Sequence, residues 1–167
     1  ITLPDCVSYI GVSAFKDCRK LTSVTLPKNL ININSGLFSG CEQLNGISLP
    51  DSILRIGGNA FRNCKSLTAI TIPKNTAEIG DFAFSDCTGL TKLKFPASLT
   101  KLGEGVTAGA NSIASLTVEN GSSYYSFGNC IIKSGTVFAG CKTSRIPVND
   151  SISRIDSYAF SGQTGLT

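Results

Sequence analysis

Pro4, Pro27, Pro50, Pro73 and Pro96 recur every 23 residues, and Cys18, Cys41, Cys64 and Cys87 recur at the same interval. Two unrelated residue types sharing one period leave few folds open. The chain must be copies of one unit, each set in register on the last. The aligned copies are LTSVTLPKNLININSGLFSGCEQ (21–43), LNGISLPDSILRIGGNAFRNCKS (44–66), LTAITIPKNTAEIGDFAFSDCTG (67–89) and LTKLKFPASLTKLGEGVTAGANS (90–112). Each opens on L-x-x-L-x-L, whose last two apolar positions alternate with exposed ones, as in a strand with one buried face. Pro then ends the strand, because it has no N–H for the next ladder bond. Two residues on stands Asn29, Ser52, Asn75 or Ser98, with Cys6 in this slot of the first copy. A small polar side chain there can bond the backbone of the turn and of the neighbouring copy. Ile10, Ile33, Ile56, Ile79 and Leu102 are the next inward residues. Ala60, Phe61 and Cys64 close the copy at helical spacing, which predicts a short helical turn at the back corner. One copy cannot bury its own apolar edge, whereas a row of copies can.

The pattern breaks in the second half. In 90–112 the Phe slot holds Thr107 and the Cys slot Ala110, within GEGVTAGANS, which predicts a looser back corner. The strand IASLTV (113–118) is followed by Glu119 rather than Pro, and the next Pro is Pro147. The stretch NCIIKSGTVFAGC reads as two short strands turning at Ser134-Gly135. Cys130 falls in the Phe slot of this long copy, and Cys141 opens a strand with Ser144 and Ile146 as its next inward positions. The expected organisation is therefore regular 23-residue repeats over 1–112, an irregular long copy with a hairpin over 113–145, and a resumed, truncated repeat over 146–167, all in one solenoid.

The pattern L-x-x-I-x-I-P-x-x-[VLI]-x-x-I-G-x-x-A-F-x-x-C, met closely by residues 44–64 and 67–87, resembles the leucine-rich repeats of the BspA-like, or Treponema-type, family. The resemblance covers nearly the whole chain. It implies an α/β repeat: a right-handed solenoid of six to seven coils, with one parallel β-sheet and short helical or irregular back corners. It also implies a cell-surface or secreted protein that takes part in adhesion, with a protein or glycan of a host or matrix as partner. A structural spacer within a larger surface protein and an intracellular scaffold are the rival readings.

The chemistry of the chain points away from catalysis. There is no His, which removes Ser-His and Cys-His pairs and the commonest metal ligand. Neither a dinucleotide fingerprint nor a phosphate-cradling loop occurs. No enzyme activity, cofactor or metal is expected. Stacking at about 4.8 Å sets the repeated sulfurs in a line, whereas zinc gathers four around one point at about 2.3 Å. The seven Cys are an odd number, and parallel stacked Cβ atoms are too far apart for disulfides, so free buried thiols are expected. Cys130 and Cys141 are the one pair that stays open to bridging. A net charge of +4 with no run of like charge points to no nucleic-acid partner. No apolar run is long enough to span a membrane. Met is absent even at position 1, so the chain is expected to be a piece of a longer protein. Its open ends are expected to fray or self-associate. Asn120-Gly-Ser and Asn149-Asp-Ser match the glycosylation pattern.

Two surfaces are candidates for partner contact. The outward strand face carries Ser23, Thr25, Ser48, Thr71, Lys92, Lys94, Ser115 and Thr117. Hydroxyl residues suit any exposed strand, but charge enters only at Lys92 and Lys94. The second surface is Tyr124, Tyr125 and Phe127, which either pack the long copy or form an aromatic patch. Irregular segments on a regular scaffold are where function concentrates. Lys92, Lys94, Tyr124 and Tyr125 are therefore the candidate contact residues.

Overall fold

The computed structural model describes residues 1–148 and 151–166. Asn149, the acceptor of the second glycosylation pattern, lies outside the described residues. Twelve short strands and no helix occur among the described residues. Six strands form pairs or ends of the strand face and hairpin: β1 (Ser23–Thr25), β3 (Gly46–Ser48), β6 (Lys92–Phe95), β8 (Ser115–Val118), β9 (Tyr125–Phe127) and β10 (Cys130–Lys133). The others are β2 (Asn32–Ile33), β4 (Arg55–Ile56), β5 (Glu78–Ile79), β7 (Lys101–Leu102), β11 (Thr136–Ala139) and β12 (Arg154–Ile155). The four-stranded parallel ladder β2-β4-β5-β7 stacks Ile33, Ile56, Ile79 and Leu102, all buried, and marks about four regular turns of a β-solenoid.

Three features of the expected α/β solenoid are corrected by this arrangement. The regular stack amounts to about four turns rather than six to seven coils. The single parallel sheet is four separate sheets. And the helical back corners are absent. A spiral of β-turns replaces them, because two positions of every copy hold the left-handed conformation. Ser13, Gly36, Asn59, Phe82 and Gly105 form one such column, and Asp17, Gly40, Asn63, Asp86 and Gly109 the other. A left-handed residue at the first and fifth positions reverses the chain before an i→i−4 bond can close. The backbone donors alternate instead. Leu37, Ser39 and Cys41 N–H bond three residues back, at 3.1, 3.0 and 3.1 Å. Gly36, Phe38 and Gly40 N–H bond the next copy, to Gly58, Ala60 and Arg62 C=O at 2.9, 2.8 and 2.8 Å. The six donors from Gly36 to Cys41 are thus satisfied in a dry corner without a helix.

Inside that corner the phenylalanines form a column. Ring centroids of Phe15–Phe38, Phe38–Phe61 and Phe61–Phe84 lie 5.6, 5.6 and 5.5 Å apart, near parallel. The column stops at Thr107, which takes the next Phe slot. The corner there is nevertheless closed: Val106, Thr107, Ala108 and Ala110 are buried. The back corner of the resumed repeat covers it directly, although the strand of that repeat pairs with the intervening segment. Gly109 N–H donates to Ser161 C=O at 2.8 Å, and Gln163 Nε2 to Thr107 C=O at 3.4 Å. Tyr158 meets Phe82 edge-on at 5.1 Å. The looseness read from GEGVTAGANS is therefore not found, because a later part of the chain supplies the missing bulk.

The intervening segment is an antiparallel hairpin of β10 and β11, turned by Ser134 and Gly135, both at positive φ as a tight hairpin turn requires. Strand β9 pairs with β10, and β11 with β12. Cys141 is buried and Ser144 half-buried, but Ile146 is exposed.

Candidate partner-contact site

The strand face is interrupted at the third copy. Strand β3 pairs only with β1, and β6 only with β8. Between them Ala69, Ile70, Thr71 and Ile72 lie outside any strand and make no backbone hydrogen bond among the described residues. Strand propensity does not account for this, since TAITI is as rich in β-branched residues as its neighbours. The ladder β4-β5-β7 runs unbroken through the same copies. Thr91 N–H still bonds Thr68 C=O at 3.4 Å, so the ladder between these copies lapses only over 69–72. A cavity of about 600 Å³ opens there, lined by Ile70, Thr71, Pro73, Leu93 and Pro96, with Lys74, Lys92, Lys94, Asp51 and Glu119 among its polar residues.

Strand β6 positions the two lysines. Its residues alternate strictly, with Leu93 and Phe95 buried and Lys92 and Lys94 exposed. The parallel register sets Lys92 against Ser115 and Lys94 against Thr117. Lys94 Nζ pairs with Glu119 Oε1 at 2.9 Å. The Glu119 carboxylate also accepts a bond from Ala97 N–H at 3.4 Å. Its pKa is held below the ordinary value, first by the hydrogen bond from Lys94, then by that from Ala97. Lys92 and Lys74 have no ion-pair partner among the described residues. The carboxylate replaces the Pro that ends other strands, so the same sequence change that breaks the repeat neutralises Lys94 and leaves Lys92 as the unpaired charge of β6.

The aromatic candidates separate. Tyr124 is buried, only 4% exposed. Its hydroxyl accepts the Leu102 N–H at 3.0 Å, which satisfies a donor at the open edge of β7. Its ring meets Phe138 edge-on at 5.3 Å, and Lys133 Nζ sits 4.6 Å from the ring centroid. Burial pushes its phenol pKa up. Tyr124 is thus a packing residue of the long copy. Tyr125 and Phe127 are exposed on β9 but do not line the cavity. Sequence reasoning placed Thr71 on the outward face but missed Ile70, Lys74 and Asp51, because the break that uncovers them leaves no mark in the repeat.

The thiols behave differently from a purely apolar filling. Cys41, Cys64 and Cys87 are buried and free. Each Sγ–H donates to the backbone carbonyl of the preceding copy's Phe, namely Phe15, Phe38 and Phe61, at 3.1, 3.2 and 3.0 Å. Desolvation raises all three pKa values, Cys41 to about 11 and Cys87 to about 12. Cys6 and Cys18, in the first copy, are exposed. Cys130 and Cys141 are both free and buried, with Cys130 Sγ against the Arg145 carbonyl at 3.8 Å and Cys141 Sγ against Thr143 at 3.3 Å. Among the described residues no three His, Cys, Asp or Glu side chains gather as a metal site, and no helix is long and apolar enough to cross a membrane.

Several solved structures share this architecture. The leucine rich repeat protein of Treponema pallidum aligns with a TM-score of 0.75 at 25% identity, over 100% of this chain and 77% of that one. A leucine rich cell surface protein of Faecalibacterium prausnitzii aligns at 0.80 and 22% identity, over 99% of this chain and 52% of its own. The pneumococcal vaccine antigen PcpA aligns at 0.76 and 21% identity, over 88% of this chain and 42% of its own. At those identities the last two show a common fold, and this chain spans about half of each or less. No curated protein matches the sequence. Residues 1–114 and 36–167 match the family described as BspA type leucine rich repeat region, in six copies. With the 23-residue period, the stacked Phe and Cys columns and a match over the full length, the chain belongs to that family.

Proposed function

We propose that this chain is a non-enzymatic contact module of a cell-surface or secreted protein, and that its strand face around Lys92 and Lys94 meets a protein or glycan of a host or matrix. Tyr125 flanks that face from β9. Tyr124 acts beneath the surface, by holding β7 and the hairpin together. The observation that carries the reading is the cavity beside β6, where the repeat's hydroxyl face gives way to two exposed lysines, one without an ion-pair partner. A leucine rich cell surface protein among the similar structures supports the surface location. The division into 1–112, 113–145 and 146–167 is retained as part of this proposal, the middle segment being the insertion that sets β9 beside β8.

The test compares binding of candidate partners to Lys92→Ala/Lys94→Ala and to Thr25→Ala/Ser48→Ala, after circular dichroism shows both folded. The lysine variant is expected to lose about tenfold in affinity and the hydroxyl variant less than twofold. Larger loss in the hydroxyl variant would move the contact to the first copies. Retained adhesion by a parent protein that lacks this chain altogether, but keeps its length with another repeat array, would favour the spacer reading.

A further inference from the structure

We infer that the interrupted strand face between Ala69–Ile72 and β6 is a recognition slot for an extended acidic peptide segment; this rests on the contact reading above and names its partner class. Three observations meet at this place. The backbone N–H and C=O groups of Ala69, Ile70, Thr71 and Ile72 are unpaired, as are the facing edges of β3 and β6. Unpaired strand edges are templates for added main chain. Elsewhere this protein blunts its exposed edges, for example by the Tyr124 hydroxyl on Leu102 N–H. Next, the cavity has an apolar floor of Ile70, Pro73 and Pro96, suited to an aliphatic side chain, and its volume of about 600 Å³ falls in the range of ligand sites.

Charge gives the direction. Lys92 and Lys74 carry no ion pair among the described residues, while Lys94 is already matched by Glu119. Lys92 and Lys94 stand two residues apart on one face, the spacing at which carboxylates alternate along an extended partner. Asp51 also lines the cavity and carries no ion pair either. An acidic segment is therefore attracted by Lys92 and Lys74 and repelled by Asp51. Against a sugar, no aromatic ring lines the cavity, and pyranose faces bind chiefly by stacking on such rings.

The probe is a fluorescein-labelled Glu-Val-Glu-Val-Glu peptide, titrated by anisotropy against its Gln-Val-Gln-Val-Gln counterpart at low and high salt. The acidic peptide is expected to bind about tenfold tighter than the Gln peptide, with the difference shrinking at high salt. Lys92→Glu is expected to weaken it about tenfold, Asp51→Asn to strengthen it about threefold, and Lys20→Glu, on the first copy, to change nothing. Hydrogen exchange gives a second readout on the unmodified chain: the amides of Ile70, Thr71 and Ile72 exchange faster than that of Leu93, and slow about tenfold when the peptide is added. Equal binding of both peptides, indifference to Lys92→Glu, or unchanged exchange at 70–72 would overturn the inference. So would displacement of the peptide by a sulfated oligosaccharide that binds more tightly than it does. If these fail while a larger partner still depends on Lys92 and Lys94, the contact reading survives and only the acidic-peptide class is lost.

Discussion

At the scale of single residues, the buried thiols decide two behaviours. Each sits where a side chain must be small, dry and able to give one weak hydrogen bond to the Phe carbonyl below it. Serine is a stronger donor on a shorter bond, and it brings a hydroxyl into an apolar corner. Cys64→Ser is expected to cost about 1–3 kcal/mol, read from the urea midpoint, while reductant leaves the parent unchanged because its thiols are free. The raised pKa values also set a sign with pH. Below about pH 9 both folded and unfolded thiols are protonated, and their contribution to stability is complete. As pH climbs toward 11 and 12, where Cys41 and Cys87 titrate in the fold, the unfolded thiols ionise first and stability falls. Cys87→Ala should flatten the alkaline slope of the melting temperature between pH 9 and 11; an unchanged slope would show that the Cys87 thiol does not contribute to it.

At the scale of the element, the 23-residue copy is held by how closely backbones approach. A Cβ on Gly80 would lie 2.5 Å from the Gly58 nitrogen, and one on Gly103 2.3 Å from the Asp81 nitrogen. Neither backbone can yield without parting the Ile79–Leu102 ladder. Gly80→Ala is expected to cost about 1–3 kcal/mol, measured by thermal unfolding. Gly46→Ala, which meets nothing within 4 Å, should change stability by less than about 0.5 kcal/mol. The back corner was partly legible at this scale. Asn and Gly occur in both left-handed columns and Asp recurs in the second, and that signal is in the sequence. The Ala-Phe-x-x-Cys spacing reads as a helix because i, i+3 contacts also arise in a turn spiral, where the three side chains converge without helical dihedrals.

At the scale of the whole molecule, stability is a chain of neighbour contacts, and the chain order is not the stacking order. The back corner of the resumed repeat sits on the corner ending near Ala110, while its strand β12 pairs with β11 of the hairpin. Gly105 makes this closure work: it lies in the column between Phe82 and Tyr158, and a Cβ there would strike the Phe82 ring at 2.4 Å. The two rings therefore meet across it. A double-mutant cycle of Phe82→Ala and Tyr158→Ala is expected to show coupling of about 0.5–1.5 kcal/mol. Zero coupling would mean that the resumed repeat is docked by its backbone alone.

The period, the inward slots, the strand-ending prolines and the family were determined by the sequence itself, because each depends on residue types at fixed spacing inside one copy. The alternation that exposes Lys92 and Lys94 was legible for the same reason. Only the tertiary structure decided what happens between copies. It buried Tyr124 under the hairpin, paired Lys94 with Glu119, set residues 156–163 on the 104–110 corner and left 69–72 unpaired on one face. None of these follows from a local pattern. Each is a compromise of one ladder against another, and a repeat that specifies every copy alike cannot say where the stack will open.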